Sequence, residues 1–104
     1  MHMDVNSAIK RILKTGKVVY GLNQSLKKIA NKKVKLMIIS KNIPKELKDK
    51  IEYYCKISGT KIFTYPGSSL ELGEVCGKPF LVSSLAVLDE GDVDITELVK
   101  ESKT

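Results

Sequence analysis

The side chains capable of directed chemistry are unevenly spread along this chain. Its one histidine is His2, within a Met1-His2-Met3 stretch that reads as a cloning remnant ahead of a start at Met3. Without histidine elsewhere, the chain lacks the commonest general base and a usual zinc ligand. No G-x-S-x-G elbow, Walker phosphate loop or G-x-G-x-x-G fingerprint occurs. The carboxylates gather mainly in an acidic tail from about Asp89, where solvation is a better reading than paired acid–base work. Cys55 and Cys76 stand alone without C-x-x-C spacing, as buried thiols in a reducing compartment do. These residues point away from catalysis, metals and cofactors, and toward binding.

Three short stretches carry binding chemistry. The first is Gly21 with Asn23, Gln24, Lys27 and Lys28. Gly21 lets a ligand approach the backbone because it has no side chain. Asn23, Gln24 and Lys27 follow at helical spacing and share the exposed side of a first turn. Free N–H groups and the positive dipole end make such a turn attractive to phosphate, and amides can both donate to and accept from base edges. Lys27 and Lys28 add salt-sensitive attraction. A solvated amphipathic helix would present the same residues. The second stretch is Lys78-Pro79-Phe80, which places an aromatic ring in a turn where it could stack on an unpaired base or simply begin a buried strand. The third is Asn42, a polar residue in a turn, although asparagine is ordinary turn chemistry.

The elements that position these residues follow from periodicity. Val5, Ala8, Ile9, Ile12 and Leu13 predict a helix closed by a C′ glycine at Gly16, followed by a short strand at 17–20. A second helix opens after Gly21 with Leu22, Leu26, Ile29 and Ala30 inside. Residues 36–40 form a continuous apolar run, as in a strand covered on both faces. Pro44 suits the first turn of a third helix that buries Leu47, Ile51, Tyr54 and Cys55 and ends at Gly59. A strand at 61–65 and the Pro66-Gly67 turn precede a capping-box signature, Ser68 with Glu71, for a fourth helix ending at Gly77. Residues 80–88 read as the last strand. Four helices interleaved with four strands predict an α/β fold, a three-layer α/β/α sandwich with a four-stranded mixed sheet. If the first two strands are parallel and the last antiparallel to them, the three binding stretches meet at one end of the sheet.

With 104 residues the chain has room for one domain, taken as 4–104. No apolar run approaches the roughly 20 residues of a membrane helix, and the amino end carries no secretory pattern, so a cytoplasmic protein without membrane contact is expected. Charge is strongly partitioned. Through Lys61 there are 15 Lys plus Arg against 4 Asp plus Glu, and from Ile62 onward 3 against 8. Such polarity predicts one basic face and a polyanionic partner. Lysines that merely solvate helices would give the same counts.

The ordered set Gly21-Leu22-Asn23-Gln24-Ser25-Leu26-Lys27, Val34-Lys35-Leu36-Met37-Ile38-Ile39, Ile51-Glu52-Tyr53-Tyr54-Cys55, Leu70-Glu71-Leu72-Gly73 and Gly77-Lys78-Pro79-Phe80 resembles the ribosomal protein L-thirty-e family. This is an archaeal and eukaryotic large-subunit branch of the kink-turn RNA-binding superfamily. The Glu-Tyr-Tyr segment favours this branch over L-seven-Ae and the small nucleolar particle proteins. The resemblance implies an α/β/α sandwich that binds a kink-turn, an RNA helix bent sharply at a bulge beside sheared G·A pairs. The superfamily carries Asn-Glu at the second-helix start, with a lysine three residues after the Glu. Asn23 and Lys27 match that pattern, while Gln24 replaces the glutamate and keeps hydrogen-bonding capacity without the charge. Asn42 corresponds to a polar RNA-contacting turn position. Phe80, with Leu81 and Val82, corresponds to an apolar loop that packs on the bulged nucleotide.

The function expected from residues and resemblance together is a structural large-subunit protein that stabilises a kink-turn in ribosomal RNA. It would have neighbouring ribosomal proteins as partners, no cofactor, and a monomeric state in isolation. A kink-turn protein of a guide-RNA modification particle is the alternative within the same chemistry. A protein–protein adaptor using the acidic tail is the alternative of another class.

Overall fold

The computed structural model describes residues 5–31 and 33–93, apart from the side chains of Leu22 and Asn23. The expectations for residues 1–3 and for the chain beyond 93 lie outside these residues. Four helices alternate with four strands: α1 (Val5–Thr15), β1 (Lys17–Tyr20), α2 (Leu22–Ala30), β2 (Leu36–Ser40), α3 (Lys45–Ser58), β3 (Lys61–Tyr65), α4 (Ser69–Val75) and β4 (Ser84–Asp89). The sheet order is β1-β4-β2-β3. β2 and β3 are parallel, while β4 runs antiparallel to both of its neighbours, β1 and β2. The sheet is therefore mixed, as the alternating pattern predicts.

Alternation along the central strands divides the core into two layers. Leu36 and Ile38 of β2, with Leu85 and Val87 of β4, face Ile9 and Ile12 of α1 and Leu72 of α4. Met37, Ile39 and Ala86 point the other way, toward Ile29 of α2 and Ile51 and Cys55 of α3. All five residues of β2 are buried, which is why its sequence is a continuous apolar run. Each layer removes apolar surface from water, at about 25 cal/mol per Å².

Local signals set most element ends. Ser68 caps α4 by accepting a 3.2 Å hydrogen bond from the Glu71 N–H. Gly59 closes α3 in the left-handed region at φ 75°. α4 ends in a Schellman pair: Gly77, at φ 71°, donates to the Glu74 carbonyl at 3.0 Å and Lys78 to the Gly73 carbonyl at 2.9 Å.

Four details differ from the sequence expectation. Pro44 occupies the N-cap of α3, one residue before the first turn. Gly16 is required by space rather than by a left-handed backbone, since a Cβ there would collide with the Asp89 carbonyl. The last strand begins at Ser84, because residues 80–83 are drawn out of line by the Val82 N–H, which donates to the Ser69 carbonyl at 3.1 Å. The start of the acidic tail is also held down. Asp92 takes a bidentate contact from Arg11, at 3.0 and 3.1 Å, and Val93 is buried.

Both cysteines are free and buried. Burial, with Glu52 adding to it, pushes the Cys55 thiol up from 9.0 to about 11. The folded state therefore holds this proton more tightly than the unfolded chain does. Stability from this source is complete below pH 9 and is lost as pH rises toward 11. Cys55→Ala should flatten the decline in stability between pH 9 and 11 by an amount on the order of 2 kcal/mol, read from denaturant midpoints. An unchanged slope would mean that the thiol titrates normally.

Candidate nucleic-acid interface

Strand direction brings three loops to one edge of the sheet. β1, β2 and β3 all end there, and β4, running oppositely, begins there. The turn into α2, the turn after β2 and the segment between α4 and β4 consequently lie side by side. Backbone bonds brace the end of β2: Ser40 N–H donates to the Ser83 carbonyl at 2.8 Å, and Lys41 N–H to the Gly67 carbonyl of the β3–α4 turn at 2.9 Å.

Gly21 forms the N-cap of α2 at φ 91° and ψ 147°, a conformation that essentially only glycine adopts. No atom lies within 4 Å of the position a Cβ would take, and no side chain caps the helix. The helix therefore begins without an N-cap side chain over its first-turn N–H groups. Gln24 and Lys27 are exposed and Lys28 is half-buried. Asn23 lies in the same first turn by its backbone, with its side chain outside the described atoms.

Asn42 has a more definite geometry than its sequence suggests. Its Oδ1 accepts from the Ser69 N–H at 2.9 Å and from the Ser40 hydroxyl at 3.1 Å. A backbone N–H only donates, so the amide orientation is fixed and the NH2 group is left to face outward. Asn42 therefore links the β2–α3 turn to the first turn of α4 and offers a ligand donors alone.

The segment before β4 supplies the apolar part. Phe80 and Leu81 are 54% and 62% exposed, high values for side chains of their size. Val82, expected beside them as a contact, is instead 3% exposed and packs in the α1/α4 layer of the core. Its role is to anchor the loop, because the backbone bond to Ser69 turns it inward. The loop walls a depression of about 450 Å³ lined by Tyr20, Gly21, Leu47 and residues 80–84. This cavity joins the helix start and the aromatic loop in one concave surface. Lys78 lies at its margin, with Nζ 5.0 Å from the centre of the Tyr20 ring, a cation–π contact that holds the ammonium beside the opening. Burial raises the Tyr20 hydroxyl to about 12, with Cys76 contributing, so it remains a neutral donor and acceptor.

Tyr20, Leu47, Ser83 and Ser84 are lining residues that sequence reasoning missed. Tyr20 reads as a strand terminus and Leu47 as an interior helix position, and only the tertiary fold brings them together. Among the described residues, no three histidine, cysteine or carboxylate side chains gather where they could hold a metal ion. No helix among them is long and apolar enough to cross a membrane.

The fold is an α/β/α sandwich with an apolar loop and a lysine-bearing helix start at one edge of its sheet. Residues 3–97 match the profile of the ribosomal protein L7Ae/L30e/S12e/Gadd45 family, and the chain belongs to that family. Its curated relatives include the large ribosomal subunit protein eL30 of Methanocaldococcus jannaschii, 44% identical over 98% of this chain and 93% of that one. The eL30 proteins of Methanococcus vannielii and Saccharolobus solfataricus are 44% and 41% identical, covering 95% and 89% of this chain and 94% and 86% of their own lengths. A solved structure of a protein of unknown function from Bacillus halodurans shares the fold, with a TM-score of 0.66 and 20% identity over 81% of each chain.

The double role of Asn42 can be separated by substitution. Asn42→Ala removes both internal hydrogen bonds and should lower stability by about 1 kcal/mol. Asn42→Asp keeps both acceptor contacts and should hold stability near that of the parent, since a carboxylate is favourable at the start of a helix. Denaturant midpoints at unchanged m-value would report this, and equal midpoints for Asn42→Ala and the parent would show that the brace contributes nothing.

Proposed function

We propose that this protein is a structural component of the large ribosomal subunit, binding a kink-turn in ribosomal RNA and holding it bent. The observation that carries the reading is the concave surface shared by Gly21 and the Phe80–Leu81 loop. It sits at the edge of the sheet that also carries the start of α2 and the amide of Asn42. Names of close relatives over nearly the full chain support the ribosomal assignment. The residue chemistry supports the shape of the RNA.

In this reading each loop has a separate task. Phe80 and Leu81 pack on an unstacked nucleotide, which is turned out at a bulge and offers an apolar face. Asn23 and Gln24 meet the exposed edges of the G·A pairs, where amides can donate and accept together. Lys27, Lys28 and Lys78 lie against phosphates, and the Asn42 NH2 donates to an RNA acceptor. No bond is made or broken. Free RNA samples extended and bent forms, and a surface complementary only to the bent form shifts the population toward it. The chain thus acts as one RNA-binding domain, monomeric until it joins its ribosomal neighbours in the cytoplasm, and without enzymatic activity.

Gel-shift titration against a kink-turn RNA, beside a control lacking the G·A pairs, tests this directly. Binding of both RNAs with equal affinity would overturn the kink-turn reading. Lys27→Ala should weaken binding and reduce the slope of log affinity against log salt by about 1. Asn23→Ala should weaken binding at every salt concentration while folding stays intact. Phe80→Ala should cost roughly five- to hundred-fold in affinity, the range of one lost stacking contact, with little change in melting temperature. A large melting shift with unchanged affinity would instead make Phe80 a packing residue.

A further inference from the structure

The loop that carries Phe80 is held by a helix that offers no RNA-binding side chain of its own. α4 touches it at three points. The Lys78 N–H donates to the Gly73 carbonyl at 2.9 Å, and the Val82 N–H donates to the Ser69 carbonyl at 3.1 Å. Between these two bonds the Phe80 carbonyl lies directly over Gly73. A Cβ on Gly73 would fall well inside contact distance of that oxygen and 3.5 Å from the Val82 nitrogen. Gly73 is buried, helical and without a positive φ, so an alanine would fit its backbone conformation. The nearest atoms in the way all belong to the loop.

We infer that Gly73 is a positioning residue for RNA binding: its missing side chain sets the depth at which the loop seats, and so the height of Phe80 and Leu81 above the cavity. The inference rests on the reading of Phe80 as an RNA contact. The atom in the way is backbone, so a larger residue costs the fold something, but two features leave much of the cost on binding. Alanine is a better helix former than glycine, which offsets part of any packing loss. Phe80 and Leu81 are already more than half exposed, so the loop can lift away from α4 without uncovering core. The buried Val82 anchor limits how far it lifts. A ring displaced by a fraction of an ångström to an ångström no longer matches a base that the rest of the site fixes in place.

The test is a double-mutant cycle on the full chain, with kink-turn RNA as the ligand. Gly73→Ala should melt below the parent but remain folded, and should bind roughly ten- to hundred-fold more weakly when assayed well below its melting temperature, comparable to losing the stacked ring itself. Phe80→Ala combined with Gly73→Ala should bind clearly more tightly than the sum of the two losses predicts, because the ring is already gone and only Leu81 is left to displace. Fully additive losses would overturn the inference, since Gly73 would then act elsewhere. If Phe80→Ala weakens binding while Gly73→Ala does not, the positioning role fails and the site reading stands. If Phe80→Ala binds like the parent, the site reading itself fails. Hydrogen exchange on the parent protein gives a check independent of any variant's folding. The Lys78 and Val82 amides should be protected and those of Phe80 and Leu81 rapid. Equal, rapid exchange across the loop would show that α4 does not hold it.

Discussion

β4 lies between β1 and β2 and runs against both, and the arrangement of the whole molecule turns on that placement. An all-parallel sheet would deliver the chain to β4 at the far edge, away from the loops that follow β1 and β2. Reversal brings residues 77–83 to the same edge as Gly21 and Asn42. The strand's central residues explain why it holds that position. Leu85, Ala86 and Val87 are at most 1% exposed and contact both helical layers, so a slip by one residue would exchange the two faces and bury the wrong side chains. A strand fixed this firmly is a rigid base for the loop that feeds it.

Rigidity at the loop edge comes from hydrogen bonds that pass between elements distant in sequence. Asn42 accepts from Ser69, Ser69 accepts from Val82, and Ser40 donates to Ser83. Each is modest alone, at about 1 kcal/mol net. Together they fix the turn after β2, the start of α4 and the Val82–Ser83 end of the aromatic loop relative to one another. A site arranged before the ligand arrives loses less conformational entropy on binding than one that must order itself.

Legibility in the sequence followed the range of the interaction that sets each feature. Helices and strands set by local periodicity and caps, such as β2 with its unbroken apolar run or α4 with Ser68 and Gly77, were readable within a residue. The polarity of the charge distribution and the lone thiols were equally plain. Where a long-range contact decides, the residues misled. Residues 80–83 carry strand-like side chains but are bent aside by the bond to Ser69. Val82 is indistinguishable from Leu81 by type, yet one is core and the other is exposed. Gly16 looks like a helix terminator and is instead demanded by the Asp89 carbonyl across the sheet. Tyr20 and Leu47 reach the cavity only through the tertiary fold. The amide orientation of Asn42 needed the position of one backbone N–H, which no spacing rule supplies.

The exposed Phe80 and Leu81 show how stability and recognition are divided in this chain. Burying two such rings and chains on folding would contribute about 1.5–3 kcal/mol each. The fold instead buries Val82, their neighbour, and leaves them in water at the rim of a cavity. That surface gains nothing until something apolar and flat covers it. The lysines around it draw a polyanion close but discriminate poorly, because charge attraction is indifferent to shape and screened by salt. In the proposed reading, discrimination then falls to the apolar loop, which rewards only a nucleotide already turned out of its helix. On that reading, since a bent, bulged RNA presents such a nucleotide and a regular duplex does not, two apolar residues that the fold leaves in water would select the shape of the partner.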